Sequence, residues 1–100
     1  MARKQIVWSK LASSELISIL DFYTVRNGSN TYSLKLLNEI EKIVNGLIEN
    51  EQLGRLTSNK FTRVVPLKYY LIFYEVNQHQ IEIISFWDNR QNPLRKKVRQ

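Results

Sequence analysis

One hundred residues, 43 % of them hydrophobic, are enough for a single small domain that buries about two-thirds of the surface its unfolded chain exposes. The absence of cysteine excludes a disulfide framework and a thiolate zinc site. The formal net charge of +6 is carried entirely by residues 52–100, which hold nine Lys/Arg and three acids, whereas residues 1–51 hold six of each. A neutral half and a basic half point to one scaffolding region and one surface that faces a polyanion.

The N-terminal MARKQIVWSK has too short an apolar run for a signal peptide. No apolar run approaches the roughly 20 residues of a membrane-spanning helix. The expectation is a soluble, cytoplasmic protein with no membrane partner. Residues 1–100 read as one domain, of which 94–100 form a basic tail.

In chain order, Gln5-Ile6-Val7-Trp8 is β-prone and predicts a first strand. Ser9 can cap a helix, because its hydroxyl accepts from a free first-turn N–H. Ala12, Leu16, Ile19 or Leu20, and Tyr23 then recur at helical spacing. Asn27-Gly28 supplies the left-handed residue that ends that helix. A second helix begins after Ser29-Asn30, with an apolar stripe of Leu36/Leu37, Ile40, Ile43/Val44 and Leu47/Ile48. Lys35 and Glu39 are spaced to pair along it. The short connection makes the two helices an antiparallel hairpin, and both stripes read as core.

Asn50 to Lys60 is polar, with Gly54 at its middle, and reads as a loop. From Phe61 the period changes to two. Phe61–Val65, Tyr69–Val76 and Ile81–Trp87 are rich in β-branched and aromatic residues, separated by turn-like Pro66-Leu67-Lys68 and Asn77-Gln78-His79-Gln80. They predict an antiparallel meander whose middle strand is apolar on both faces. The fold class is therefore α+β, in the order β-α-α-β-β-β, with the helical hairpin packed on a twisted, mainly antiparallel four-stranded sheet.

The chemistry available is narrow. His79 is the only histidine and lies in a turn, so neither a metal site nor a histidine-based mechanism is indicated. The three glycines form no phosphate-cradling loop. No cofactor is implied. What stands out is a cationic set of Arg55, Lys60, Arg63, Lys68, Arg90, Arg95, Lys96, Lys97 and Arg99, interleaved with Tyr69, Tyr70, Tyr74, Phe86 and Trp87. Arginine forks match phosphate geometry and aromatic rings stack on unpaired bases. Such a surface could bind single-stranded RNA. It could also cleave RNA without a metal, with a base taking the 2′-OH proton and arginines stabilising phosphorane charge. Arg63 and Arg90 flank predicted strands and are the leading members. The expectation is that these cations share one concavity, with Arg90 at its lip.

Three stretches together, IVWSKLASSELISILDFY, TRVVPLKYYLIFYEV and IEIISFWDNRQNP, resemble RelE/ParE-type toxins of bacterial type II toxin–antitoxin modules across residues 4–93. The resemblance implies a growth-inhibiting toxin neutralised by a cognate antitoxin protein, on a fold that hosts two activities. RelE-like members cut mRNA on the ribosome; ParE-like members poison DNA gyrase and are not nucleases. The resemblance sets Arg90 where RelE-like toxins carry a phosphate-binding arginine and Lys60 near their loop lysines. As an enzyme the chain would use Arg63 and Arg90 on phosphate and Lys60 or Tyr70 in proton transfer. Arg55, Lys68, Arg95, Lys96 and Lys97 would then add nucleic-acid contacts. The chain departs from the nucleases at Tyr70, where they usually carry arginine, and has neither tyrosine nor histidine after Asp88. Whether the chain is an enzyme stays open between those two branches, and a small RNA-binding module without toxicity stands beside them as a third reading.

Overall fold

The structure, a computed structural model, describes residues 3–90. Its elements are β1 (Gln5–Trp8), α1 (Lys10–Asn27), α2 (Thr31–Glu49), β2 (Arg55–Leu56), β3 (Thr62–Leu67), β4 (Tyr70–Val76) and β5 (Gln80–Asp88). They form a helical hairpin on a five-stranded sheet of order β1-β5-β4-β3-β2, antiparallel except for the β1–β5 pair. The expected class and element order hold, with one strand more than the sequence indicated. That strand is β2, two residues inside the polar segment that read as loop, pairing Arg55 with Val64 and Leu56 with Arg63. Two residues give no period to detect. A second difference is that β3 runs through Pro66 and Leu67, which read as turn. β2 has ended before this point, so the missing N–H of Pro66 costs no bond on the outer edge. The reversal falls instead at Lys68, which takes a left-handed φ of 57°.

Local signals fix the helices. Ser9 accepts from the Ala12 N–H at 3.0 Å and opens α1. Gly28, at φ 69°, closes it with its N–H on the Val25 carbonyl. The hairpin is tied by the buried Ser33, whose hydroxyl donates to the Leu20 carbonyl and meets Thr24 Oγ1, both at 2.8 Å. Ala12, Leu16 and Ile19 of α1 and Leu36, Ile40, Val44 and Leu47 of α2 are buried against Tyr70, Ile72, Tyr74, Ile81, Ile83 and Phe86 of the sheet. The helices thus cover one face of the sheet, and the other carries Val64, Leu71, Phe73 and Trp87. Glu39 pairs with Lys68 at 3.3 Å; the geometry is that of an ion pair without a hydrogen bond, since Glu39 Oε1 has no hydrogen-bond donor.

One irregularity positions everything at the end of the sheet. Between Phe73 and Tyr74 the β4–β5 register shifts, because Ile84 is an extra residue on β5. The helix-facing set changes from Ile81 and Ile83 to Phe86 and Asp88. A bulge frees backbone groups, and α1 takes them up. Ser9 Oγ donates to the Ile84 carbonyl at 2.9 Å. Glu15 Oε1 accepts from Phe86 N and Ser85 Oγ, each at 2.9 Å. The bulge therefore turns Asp88 toward the helices. Among the described residues no helix is long and apolar enough to cross a membrane, and no group of three or more His, Asp or Glu is placed to hold a metal.

Candidate functional site

Past the end of β5, Arg90 folds back onto the helical face. Its guanidinium donates to both carboxylate oxygens of Asp88 at 3.2 Å and to Tyr23 Oη of α1 at 2.8 Å. It also stacks 4.1 Å above the Tyr69 ring and lies 5.9 Å from that of Tyr70. Tyr23 Oη accepts a second, longer bond from Tyr70 Oη at 3.3 Å. An arginine held by a carboxylate and an aromatic face is set in one orientation. Arg90 and Tyr23 share a pocket of about 610 Å³ with Ser18, Ile19, Phe22, Arg26 and Asp88.

The electrostatics follow from these contacts. Tyr70 is 0 % exposed, and burial, reinforced by its bond to Tyr23, pushes its phenol well above the usual range. Tyr23 moves the opposite way. The hydrogen bond from Tyr70 lowers its pKa most, and the Arg90 guanidinium adds to this. Asp88, and then Tyr23, hold Arg90 still more firmly protonated than a free guanidinium. The result is one phenol locked neutral and a second, accessible one that receives two donors.

The other predicted residues lie elsewhere. Arg63 is half-buried beside Tyr74 and donates from Nη1 to the Gly54 carbonyl at 2.8 Å. Tyr74 is fully buried and raised in pKa by that burial. Its hydroxyl donates to the Glu51 carbonyl and accepts from Gly54 N, both at 2.8 Å. Lys60 stands in the β2–β3 turn at φ 67°. Arg55 lines a groove of about 650 Å³ on the helix-free face, with Thr57, Ser58, Asn59, Thr62, Val64, Leu71, Phe73 and Asn89 among its walls. Lys68 is paired with Glu39. Arg95, Lys96 and Lys97, with the rest of the basic tail, lie outside the described residues.

The expected single concavity is therefore divided. Arg63 and Tyr74 are register partners four residues along β4 from Tyr70, about 13 Å at the usual rise per residue. Arg55, Lys60 and Arg63 occupy that end, while Arg90, Tyr70 and Lys68 occupy the other. Tyr70 and Arg90 are brought together; Lys60 and Arg63 are not brought to them. Of the residues that complete the Arg90 cluster, Tyr69 is among the aromatics interleaved with the cationic set, whereas Tyr23 and Asp88 do not stand out as site residues in the sequence. Tyr23 continues the core-facing stripe of α1 at partial burial, and only its hydroxyl, which can reach a polar partner at the edge of the core, hints at another role.

With this geometry in view, comparison with known proteins is decisive for the family. Residues 6–93 match the family model described as the ParE toxin of the type II toxin–antitoxin system parDE. The chain belongs to the ParE toxin family. Among solved structures, a chain from the chromosomal ParDE toxin–antitoxin system of P. aeruginosa superposes with a TM-score of 0.71. It shares 24 % sequence identity and covers 84 % of this chain and 94 % of its own length. At that identity the likeness speaks for the fold. A search of curated proteins gave no match. The ParE-family chain is thus a type II toxin built as a helical hairpin on a mixed sheet, with its strand-end arginine turned toward α1.

Proposed function

We propose that this toxin arrests growth by binding DNA gyrase, without cleaving nucleic acid, and that a cognate antitoxin holds it inactive. The observation that carries this reading is the commitment of the groups that strand cleavage would use. Tyr70 is fully buried with its hydroxyl on Tyr23. The Arg63 guanidinium donates to the Gly54 carbonyl, and Lys60 stands at the far end of the sheet. A general base must lie within hydrogen-bond reach of the proton it takes, and geometry precedes pKa in that test. The ParE family match supports the same branch, since the resemblance implies that ParE-like members act on gyrase. For the antitoxin, α1 displays Leu11, Ile17, Phe22 and Val25 on its outer side, an apolar strip on a helix whose charges, Lys10 and Arg26 against Glu15 and Asp21, cancel. Such a surface suits the apolar face of an amphipathic partner.

The test is supercoiling of relaxed plasmid by purified gyrase with increasing toxin, together with primer extension on a translated message in expressing cells. Loss of supercoiling without cuts is the expected result. Codon-dependent cuts with unchanged supercoiling would replace this reading by ribosome-dependent mRNA cleavage. That second reading has one observation in its favour. Tyr23 is an accessible phenol beside Arg90 with a lowered pKa, and in it Tyr23 would join Arg63, Arg90, Lys60 and Tyr70 as the residues to vary.

A further inference from the structure

We infer that the β2–β3 hairpin is a binding site for an unpaired nucleic-acid strand, on which Phe61 stacks against a base while Arg55 and Lys60 hold neighbouring phosphodiesters. The inference stands apart from the gyrase reading, which requires no strand contact by the toxin itself.

The tip is rigid. Thr57 N donates to the Thr62 carbonyl at 2.8 Å and Lys60 N to the Thr57 carbonyl at 3.0 Å. Asn59 Oδ1 accepts from Phe61 N and Thr62 N, both at 2.8 Å, and Asn59 Nδ2 donates to Thr62 Oγ1 at 2.9 Å. Lys60 is held at a positive φ that side chains other than glycine seldom adopt. Behind the tip, the bonds from Tyr74 to Glu51 and Gly54, and from Arg63 to Gly54, anchor the segment leading into β2. This ordered backbone presents a phenyl ring that is 76 % exposed. A ring so exposed contributes little to folding. With the backbone beneath it already held, only the ring's own rotamer freedom is lost when something stacks on it.

Charge and hydrogen-bonding chemistry identify what that is. Between Glu51 and Glu75 the sequence carries no acid. Arg55 and Lys60 lie at this end of the sheet, and the carboxylate beside the tip, that of Glu75, accepts from Thr62 Oγ1 at 2.7 Å. The groove behind the tip is lined by Arg55, Thr57, Ser58, Asn59 and Phe73 among others, and Lys60 and Phe61 stand on the adjoining turn outside that lining. Hydroxyl, amide and guanidinium groups are those that contact phosphate and sugar, and an aromatic platform in a cationic groove is how unpaired strands are bound without sequence preference. The shared chemistry is a phosphodiester with an unstacked base, and DNA and RNA both supply it.

The full-length chain is titrated into a short labelled single-stranded oligodeoxynucleotide, followed by fluorescence anisotropy. The same sequence as RNA and as duplex DNA forms two further arms. Phe61→Ala is expected to weaken single-strand binding about 5- to 150-fold, the range that stacking of one base supports, and Phe61→Trp to restore it. Arg55→Gln with Lys60→Gln should lower the slope of log affinity against log salt by about 1.4, at roughly 0.7 for each phosphate no longer neutralised. The tighter of the DNA and RNA arms names the natural strand. Wild-type affinity and salt slope in all these variants would overturn the site, as would a wild-type chain that binds no arm. Duplex held as tightly as single strand would overturn the role of the unpaired base. Phe61→Ala failing to bind while still inhibiting gyrase would leave the gyrase reading intact.

Discussion

Arg90 Nη2 donates to Tyr23 Oη at 2.8 Å, and this bond joins the end of β5 to α1 across 67 positions of sequence. The arginine is half-exposed, but the side chain of its partner Asp88 is only 12 % exposed, so removing the guanidinium leaves a mostly covered carboxylate without its donors, at about 1–3 kcal/mol. Arg90→Ala should therefore lower Tm, with an unchanged circular dichroism spectrum at a temperature where it remains folded. If Arg90 belongs to the working surface, the same variant should relieve growth arrest on induction without antitoxin. Arg90→Lys should relieve it in part, because an ammonium cannot reproduce the fork held between Asp88 and Tyr23. Undiminished arrest by Arg90→Ala would reduce this residue to a local clamp.

Tyr70 and Tyr23 should part company on alkaline titration. In the folded chain burial raises the Tyr70 pKa above its unfolded value of about 10. The folded state thus keeps a proton that the unfolded state loses, and this stabilisation, complete below about pH 10, declines as pH rises further. For Tyr23 the sign reverses. Its lowered pKa adds stability as pH climbs toward about 10. Absorbance at ~295 nm should show one phenol ionising early, absent in Tyr23→Phe. Tyr70→Phe should cost about 0.5–1.5 kcal/mol at neutral pH and lessen the loss of stability above pH ~10 relative to wild type. Equal alkaline slopes in the two proteins would contradict the assigned burial effect.

The contrast between these tyrosines also shows how far the sequence could be read. The helices, their caps at Ser9 and Gly28, and β1, β4 and β5 announce themselves through period and turn chemistry, because each is a local property. The face on which a residue falls is local only while the alternation is regular. Ile84 breaks it, and counting by twos from Ile81 places Trp87, not Asp88, toward the helices. Nothing near Ile84 marks a bulge; the groups that support it, Ser9 and Glu15, lie about 70 residues earlier. The Arg90 cluster inherits that difficulty, since Tyr23 and Asp88 meet only through the shifted register. The basic half is visible as a total, but its division between the two ends of β4 depends on register, which composition does not contain.

Gly54 should tolerate no side chain. A Cβ there would lie 2.7 Å from Tyr74 Cε1 and 2.9 Å from the Val64 carbonyl oxygen, a buried ring and a strand backbone that cannot withdraw cheaply. Gly54→Ala is expected to destabilise by about 1–3 kcal/mol, the usual cost of overpacking. Tyr74→Phe should do so by a similar amount through a different route, leaving the buried Gly54 N–H without its acceptor. Because both changes act on one contact, the double variant should cost clearly less than the two single costs added. Additive effects in urea melts would mean that the two residues stabilise the loop independently.

Glu15 links the bulge to the site, and its replacement tests that link. The carboxylate accepts from Phe86 N and Ser85 Oγ, and Glu15→Ala leaves a part-buried backbone N–H unpaired. A destabilisation of about 1–3 kcal/mol follows. Glu15→Gln keeps an acceptor in place and should recover more than half of it. The consequence for the Arg90 cluster is separate from stability. Asp88 faces α1 only because the register shifts at Ile84, so loosening the bulge should weaken the Arg90–Tyr23 bond and raise the Tyr23 pKa toward its ordinary value. Alkaline titration of Glu15→Ala, at a temperature where it remains folded, reads this directly. An early-ionising phenol unchanged from wild type would show that the strand end holds its place without the carboxylate.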